Sequence, residues 1–122
     1  MEELAKYHTI ISEILAEEAK GSFSNSPHVE QLLSIDRENG HYFLFMLGWD
    51  GTERVHSCLF HLDIRNDKIW IQQNNTDFEI AEELLRRGVS KDDIVLALHH
   101  PKKWQYTDYG TDLEFQNKIL QK

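Results

Sequence analysis

Three turn signals follow one another in the middle of the chain: Asn39-Gly40, Asp50-Gly51 and Asn66-Asp67. Each pair tolerates the positive φ of a tight hairpin turn. The runs between them read as strands. In residues 28–36, Val29, Leu33 and Ile35 fall on one face. Residues 42–47, Tyr-Phe-Leu-Phe-Met-Leu, are apolar at both parities, which predicts a central strand covered on both faces. Residues 54–64 form a third run. In residues 68–73, Ile69 and Ile71 lie opposite Trp70. A chain that doubles back three times over such short distances forms an antiparallel meander of four strands.

Helical patterns flank the meander. Leu4, Tyr7, Ile11, Ile14 and Leu15 recur at helical spacing, and Gly21 stops the pattern, so a first helix is predicted over 2–20. Thr76-Asp77-Phe78-Glu79 reads as a capping box, followed by the i,i+4 pairs Ile80/Leu84 and Ala81/Leu85 and a stop at Gly88. Ser90-Lys91-Asp92-Asp93 caps another short turn. Residues 94–98 are too apolar for a surface, and Pro101 closes them. Residues 111–122 read as a short helix or a frayed end. Strands followed by helices specify an α+β class, one sheet with helices on one face. At 122 residues the chain is a single domain.

Charge bears on function. There are 21 acidic against 13 basic residues, a net charge of −8. Duplex DNA is bound through phosphates neutralised by Lys and Arg, so this surface opposes it. Such a charge suits a basic protein partner or simply keeps the protein dissolved. The single cysteine, Cys58, excludes an internal disulfide and fits a cytoplasmic protein. Residues 1–20 are amphipathic and acidic, unlike a signal peptide.

No catalytic motif stands out. Seven histidines are present, but none follows a zinc-ligand spacing. His61 and Asp63 share a strand face, His56 lies on the opposite parity of the same run, and the three are candidates for an acid/base set. His61 and Asp63 serve equally as a polar pair on a solvated face. Cys58 reads as a buried structural thiol. Gly48 and Gly51 belong to a turn, not a phosphate loop. The expectation is therefore no catalytic residue, no cofactor and no metal. Trp104, Tyr106 and Tyr109, flanked by Lys102 and Lys103, follow the last apolar run and are expected to form a partner surface. The alternative is that these rings fold back over the sheet edge.

Several segments carry a resemblance: Gly48-Trp49, Arg54-Val55-His56, His61-Leu62-Asp63-Ile64, Lys68-Ile69-Trp70-Ile71-Gln72, Gly88-Val89, Lys91-Asp92-Asp93-Ile94-Val95-Leu96 and Gln105-Tyr106-Thr107-Asp108. In this order they resemble the XisI family, controlling factors for excision of the fdxN element in cyanobacteria. The likeness spans about residues 4–110 and leaves 111–122 as a C-terminal extension. Ser57, Ser90 and Ala97-Leu98 depart from the family's usual Gly, Pro and Gly-Phe. The resemblance implies a cytoplasmic α+β domain that acts without catalysis beside XisH, an endonuclease-like protein, in a DNA rearrangement. Two other functions fit the residues: an antidote-type inhibitor of a nuclease-like partner, and an enzyme using His56, His61 and Asp63. A homo-oligomer is a further possible assembly.

Overall fold

The computed structural model describes residues 2–21 and 26–120. Its elements in chain order are α1 (Glu2–Ala19), β1 (Val29–Asp36), β2 (His41–Asp50), β3 (Glu53–Arg65), β4 (Lys68–Asn74), α2 (Ile80–Arg86), β5 (Ile94–Val95) and α3 (Leu113–Leu120), with 3-10 turns at Lys91–Asp93 and Pro101–Tyr106. The sheet order is β1-β2-β3-β4-β5. The first four strands are the antiparallel meander that the turns specify. A fifth strand joins β4 in parallel through Ile69↔Ile94 and Trp70↔Val95. The apolar run 94–98 thus contributes a short edge strand, and Leu98 continues by donating to the Ile71 carbonyl at 2.9 Å.

The turns differ in kind. Asn66 and Asp67 both have positive φ, 52° and 66°, and close β3 onto β4 with two residues. Gly51 starts another two-residue turn between Asp50 and Glu53. The Asn39-Gly40 pair instead ends a four-residue loop, because β1 and β2 pair as far as Asp36↔His41. The Asp36 carboxylate accepts from the Asn39 backbone N–H and from Asn39 Nδ2, holding that loop from within.

One face of the sheet carries the main core. Tyr7, Ile10, Ile11, Ile14 and Leu15 of α1 pack with Tyr42, Leu44, Phe60, Leu62, Ile69 and Ile71 of the strands, and Ile80 and Leu84 of α2 complete it. This pattern follows from the helical spacing on α1 and the alternation on each strand. Arg87 ties the helices together, bonding to Glu83 in its own segment and to Glu17 of α1 at 2.8 Å. The predicted capping box does not open α2. Thr76 Oγ1 accepts from the Phe78 N–H, and Asn74 Oδ1 accepts from Thr76, so the segment is a side-chain-bonded turn. The helix starts only at Ile80, and Glu79 makes no side-chain cap. Gly88 does end α2: its φ is +99°, and Val89 donates back to the Leu84 carbonyl.

The expectation of helices on one face only is corrected. The 3-10 turn at Pro101–Tyr106 and helix α3 cross to the opposite face over β4 and β5. There Trp70, Val95 and Trp104 form a second buried cluster with Ala97 and Phe115. Gly110 permits the crossing. Its N–H donates to the Ile94 carbonyl at 2.8 Å, and a Cβ would lie 2.1 Å from the Asp92 carbonyl oxygen. Among the described residues no helix is long and apolar enough to cross a membrane.

Candidate functional site

The sheet face opposite α1 holds the most concentrated polar chemistry of the chain. Asp63 of β3 is wholly buried. Its Oδ1 accepts from His41 Nδ1 at 2.8 Å and from His61 Nε2 at 2.9 Å. Its Oδ2 accepts from the Arg65 guanidinium at 2.9 Å and from Gln72 Nε2 at 3.1 Å. Burial raises the Asp63 carboxyl pKa, but the His41 hydrogen bond, the charge and hydrogen bond of His61 and the Arg65 charge outweigh it and leave the pKa below the ordinary value. The group is therefore an ionised acceptor, and each imidazole must donate to it. That fixes the proton on Nδ1 of His41 and on Nε2 of His61. Arg65 also lies over the Trp70 ring, 5.6 Å from its centroid, so the guanidinium is fixed from two sides.

Three strands build this hub. His41 opens β2 and pairs with Asp63 on β3, and Asp63 pairs in turn with Trp70 on β4. Sequence spacing places His61 beside Asp63, and the structure joins them. It does not bring in His56, which pairs with Leu47 and lies beside the Phe45 ring at the other end of the face. His41 takes the place the sequence reading gave to His56. Its absence from that reading has a geometric cause. Counting back from the Asp50↔Glu53 turn puts His41 opposite Leu62 and leaves Asp63 out of its reach on the other face of β3. A bulge between Leu44 and Phe45 shifts the register by one and puts His41 opposite Asp63.

The donor atoms of His41, His61 and Asp63 lie within 4.8 Å of one another, a grouping that could close around a cation. The contacts favour a hydrogen-bonded clamp instead. Both imidazole nitrogens lie within hydrogen-bond distance of the carboxylate, and the Arg65 cation sits on its second oxygen. Cys58, on the same face, has its thiol pKa raised by burial and donates to the Phe60 carbonyl, which does not favour a thiolate nucleophile.

Next to the clamp the face is open and aromatic. Phe43 and Phe45 stack at 5.5 Å, and Phe43 lies 4.3 Å from the His61 ring. Phe45 pairs across with Leu32, which is 49% exposed, and Leu47 continues the row. These four apolar residues pack into neither core cluster. Strand β2 is apolar at both parities, as its sequence requires, but among the described residues helices cover only the Tyr42 and Leu44 side.

The rings expected to form a partner surface sit in different settings. Trp104 is 2% exposed, stands edge-on to Trp70 and donates from Nε1 to the Leu96 carbonyl at 2.9 Å. The ring folds back onto the sheet because the turn beginning at Pro101 reverses the chain after β5. Tyr109 is half-buried against the main core. Tyr106 is 80% exposed, and Lys102 and Lys103 are exposed beside it.

The comparisons with known proteins bear on this arrangement. The sequence profile of the XisI protein family matches residues 1–111. The chain belongs to the XisI family. The crystal structure of a XisI-like protein from Anabaena variabilis ATCC 29413 superposes with a TM-score of 0.84 at 44% identity, covering 89% of this chain and 99% of the other. The fdxN element excision controlling factor XisI from the same organism superposes at 0.76 with 34% identity, covering 88% and 97%. No curated protein matches. Within this XisI-family fold, the stretch His61-Leu62-Asp63-Ile64 is the part of β3 that carries the clamp. Helix α3 lies beyond the residues matched by the family.

Proposed function

We propose that this XisI-family chain is a non-catalytic controlling factor that acts through protein contact with a XisH-like, endonuclease-like partner in excision of a DNA element. The observation that carries this reading is the open half of the sheet. Leu32, Phe43, Phe45 and Leu47 lie on one face that no helix among the described residues covers, beside the two imidazoles bonded to Asp63. Apolar rings with a polar border are what protein interfaces draw on, and a few such anchors supply most of the affinity. The Asp63 clamp supports the same reading. It fixes β2, β3 and β4 relative to each other beneath the rings, and its carboxylate is occupied by four donors and not poised as a base. The acidic surface fits a protein that works beside a nucleic-acid enzyme and leaves the phosphate contacts to it.

The test is co-expression with a XisH-like protein and affinity capture. Phe43→Asp and Phe45→Lys are expected to weaken capture at least about tenfold, equivalent to one hot-spot residue, with an unchanged circular dichroism spectrum. Tyr106→Ala, on the other surface, should leave capture intact. Full capture by folded Phe43→Asp and Phe45→Lys variants, or no complex with the unaltered chain, would overturn the reading.

A further inference from the structure

The two edges of the sheet are built differently. The β5 edge has two residues and is bridged at Val95 by Gly110. The β1 edge runs for eight residues, Val29–Asp36, and contains no proline, no lysine and no bulge. Proteins ordinarily blunt a free edge with such devices, because its unpaired N–H and C=O groups template another strand. Trp49 donates to the His28 carbonyl at 3.1 Å, so the even-numbered residues of this strand turn their backbone groups toward β2. Alternation then turns those of Gln31, Leu33 and Ile35 outward. Among the described residues no backbone hydrogen bond beyond the β1–β2 pairing reaches these three.

We propose that β1 pairs antiparallel with β1 of a second copy of this chain, about a two-fold axis through Leu32 and perpendicular to the sheet. Such an axis keeps each face on its own side, so residues of the same parity must oppose each other. Centred on Leu32, the register sets Leu32 against Leu32, Gln31 against Leu33 and Val29 against Ile35. The outward backbone groups of Gln31 and Leu33 then meet as hydrogen-bonded pairs. Leu32 and Ile35, 49% and 41% exposed in the single chain, both gain apolar neighbours. Charge selects this register over the next. It sets Asp36 opposite His28, whereas centring on Leu33 would set Asp36 opposite Glu30. Like charges directly opposite disfavour pairing. On the outer face the pairing joins Phe45 and Leu32 of both copies into one apolar row across the axis. This proposal stands independently of a XisH-like partner.

Sedimentation equilibrium of the full chain tests it. A dimer is expected. Leu32→Lys changes an exposed side chain, sets two like charges on the axis and should raise the dimer dissociation constant about tenfold or more. Gln31→Pro removes an outward N–H without touching the β2 ladder and should do the same. In a Cys58→Ser background, mild oxidation should link Leu32→Cys to its copy, since Cα atoms of a non-hydrogen-bonded pair lie about 4.5 Å apart, within disulfide reach. Ser34→Cys, displaced from the axis, should remain unlinked. A monomer at all concentrations would overturn the proposal. So would a dimer that folded Leu32→Lys and Gln31→Pro leave unchanged, or cross-linking at Ser34→Cys in preference to Leu32→Cys.

Discussion

Asp63 shows how one side chain can set the behaviour of a sheet. Four donors from three strands converge on its carboxylate in a fully buried position. Removing the acceptor leaves Arg65 and both imidazoles without their partner, so Asp63→Ala is expected to cost about 1–3 kcal/mol, measured by urea unfolding. A loss below about 1 kcal/mol would mean that solvent replaces the clamp. The pH dependence follows from the depressed folded pKa. The stabilisation is fully present above the unfolded carboxyl value of ~3.9, and is lost as pH falls through the lower folded value. The unaltered chain should therefore lose more stability on acidification below that value than Asp63→Ala does. Equal acid sensitivity of the two proteins would count against the clamp.

At the scale of elements, the informative case is the segment after β5. Its rings leave the regular apolar pattern, which reads from sequence as a docking surface. In the structure the chain reverses at Pro101 and buries Trp104 against Trp70 and Phe115. Trp104→Ala is therefore expected to destabilise by about 3–5 kcal/mol. Tyr106→Ala, two residues on, should stay within about 0.5 kcal/mol. Thermal melts of the two variants decide the matter, and a Trp104→Ala protein as stable as the parent would restore the surface reading. Helix α3 is held at its N-terminus through Asp112. Asp112 Oδ1 caps the Phe115 N–H at 2.9 Å, and Asp112 Oδ2 accepts from Asn66 of the β3–β4 turn at 2.8 Å. Burial raises the Asp112 carboxyl, but the cap, Asn66 and Lys68 pull it below the ordinary range.

Across the whole molecule, net charge and the open sheet face point the same way. With −8 overall, the isolated chain should bind duplex DNA only weakly and without sequence preference at physiological salt. A gel shift showing nanomolar, sequence-specific binding would contradict this. The two proposed contacts use different parts of the sheet, the Phe43–Phe45 face for a different protein and the β1 edge for a second copy. The two are adjacent, since Leu32 belongs to both.

Local chemistry determined the elements. Turn residues with positive φ, alternation on the strands and helical spacing on α1 act within a few residues, so they are legible without the fold. The family segments add the order of those elements. What depends on register was out of reach. The bulge opposite Leu44 and Phe45 decides whether Asp63 or Leu62 lies across from His41, and nothing local marks that extra residue. Coverage of a face was equally hidden. The apolar parity of β2 says that both sides avoid water, but only the path of α1 and α2 decides which side is filled from within. The same holds for Trp104, whose burial depends on a reversal at Pro101 that brings it onto a ring thirty-four positions earlier in the sequence. Long-range pairing is a property of the folded chain, and it placed the clamp, the open face and the free edge.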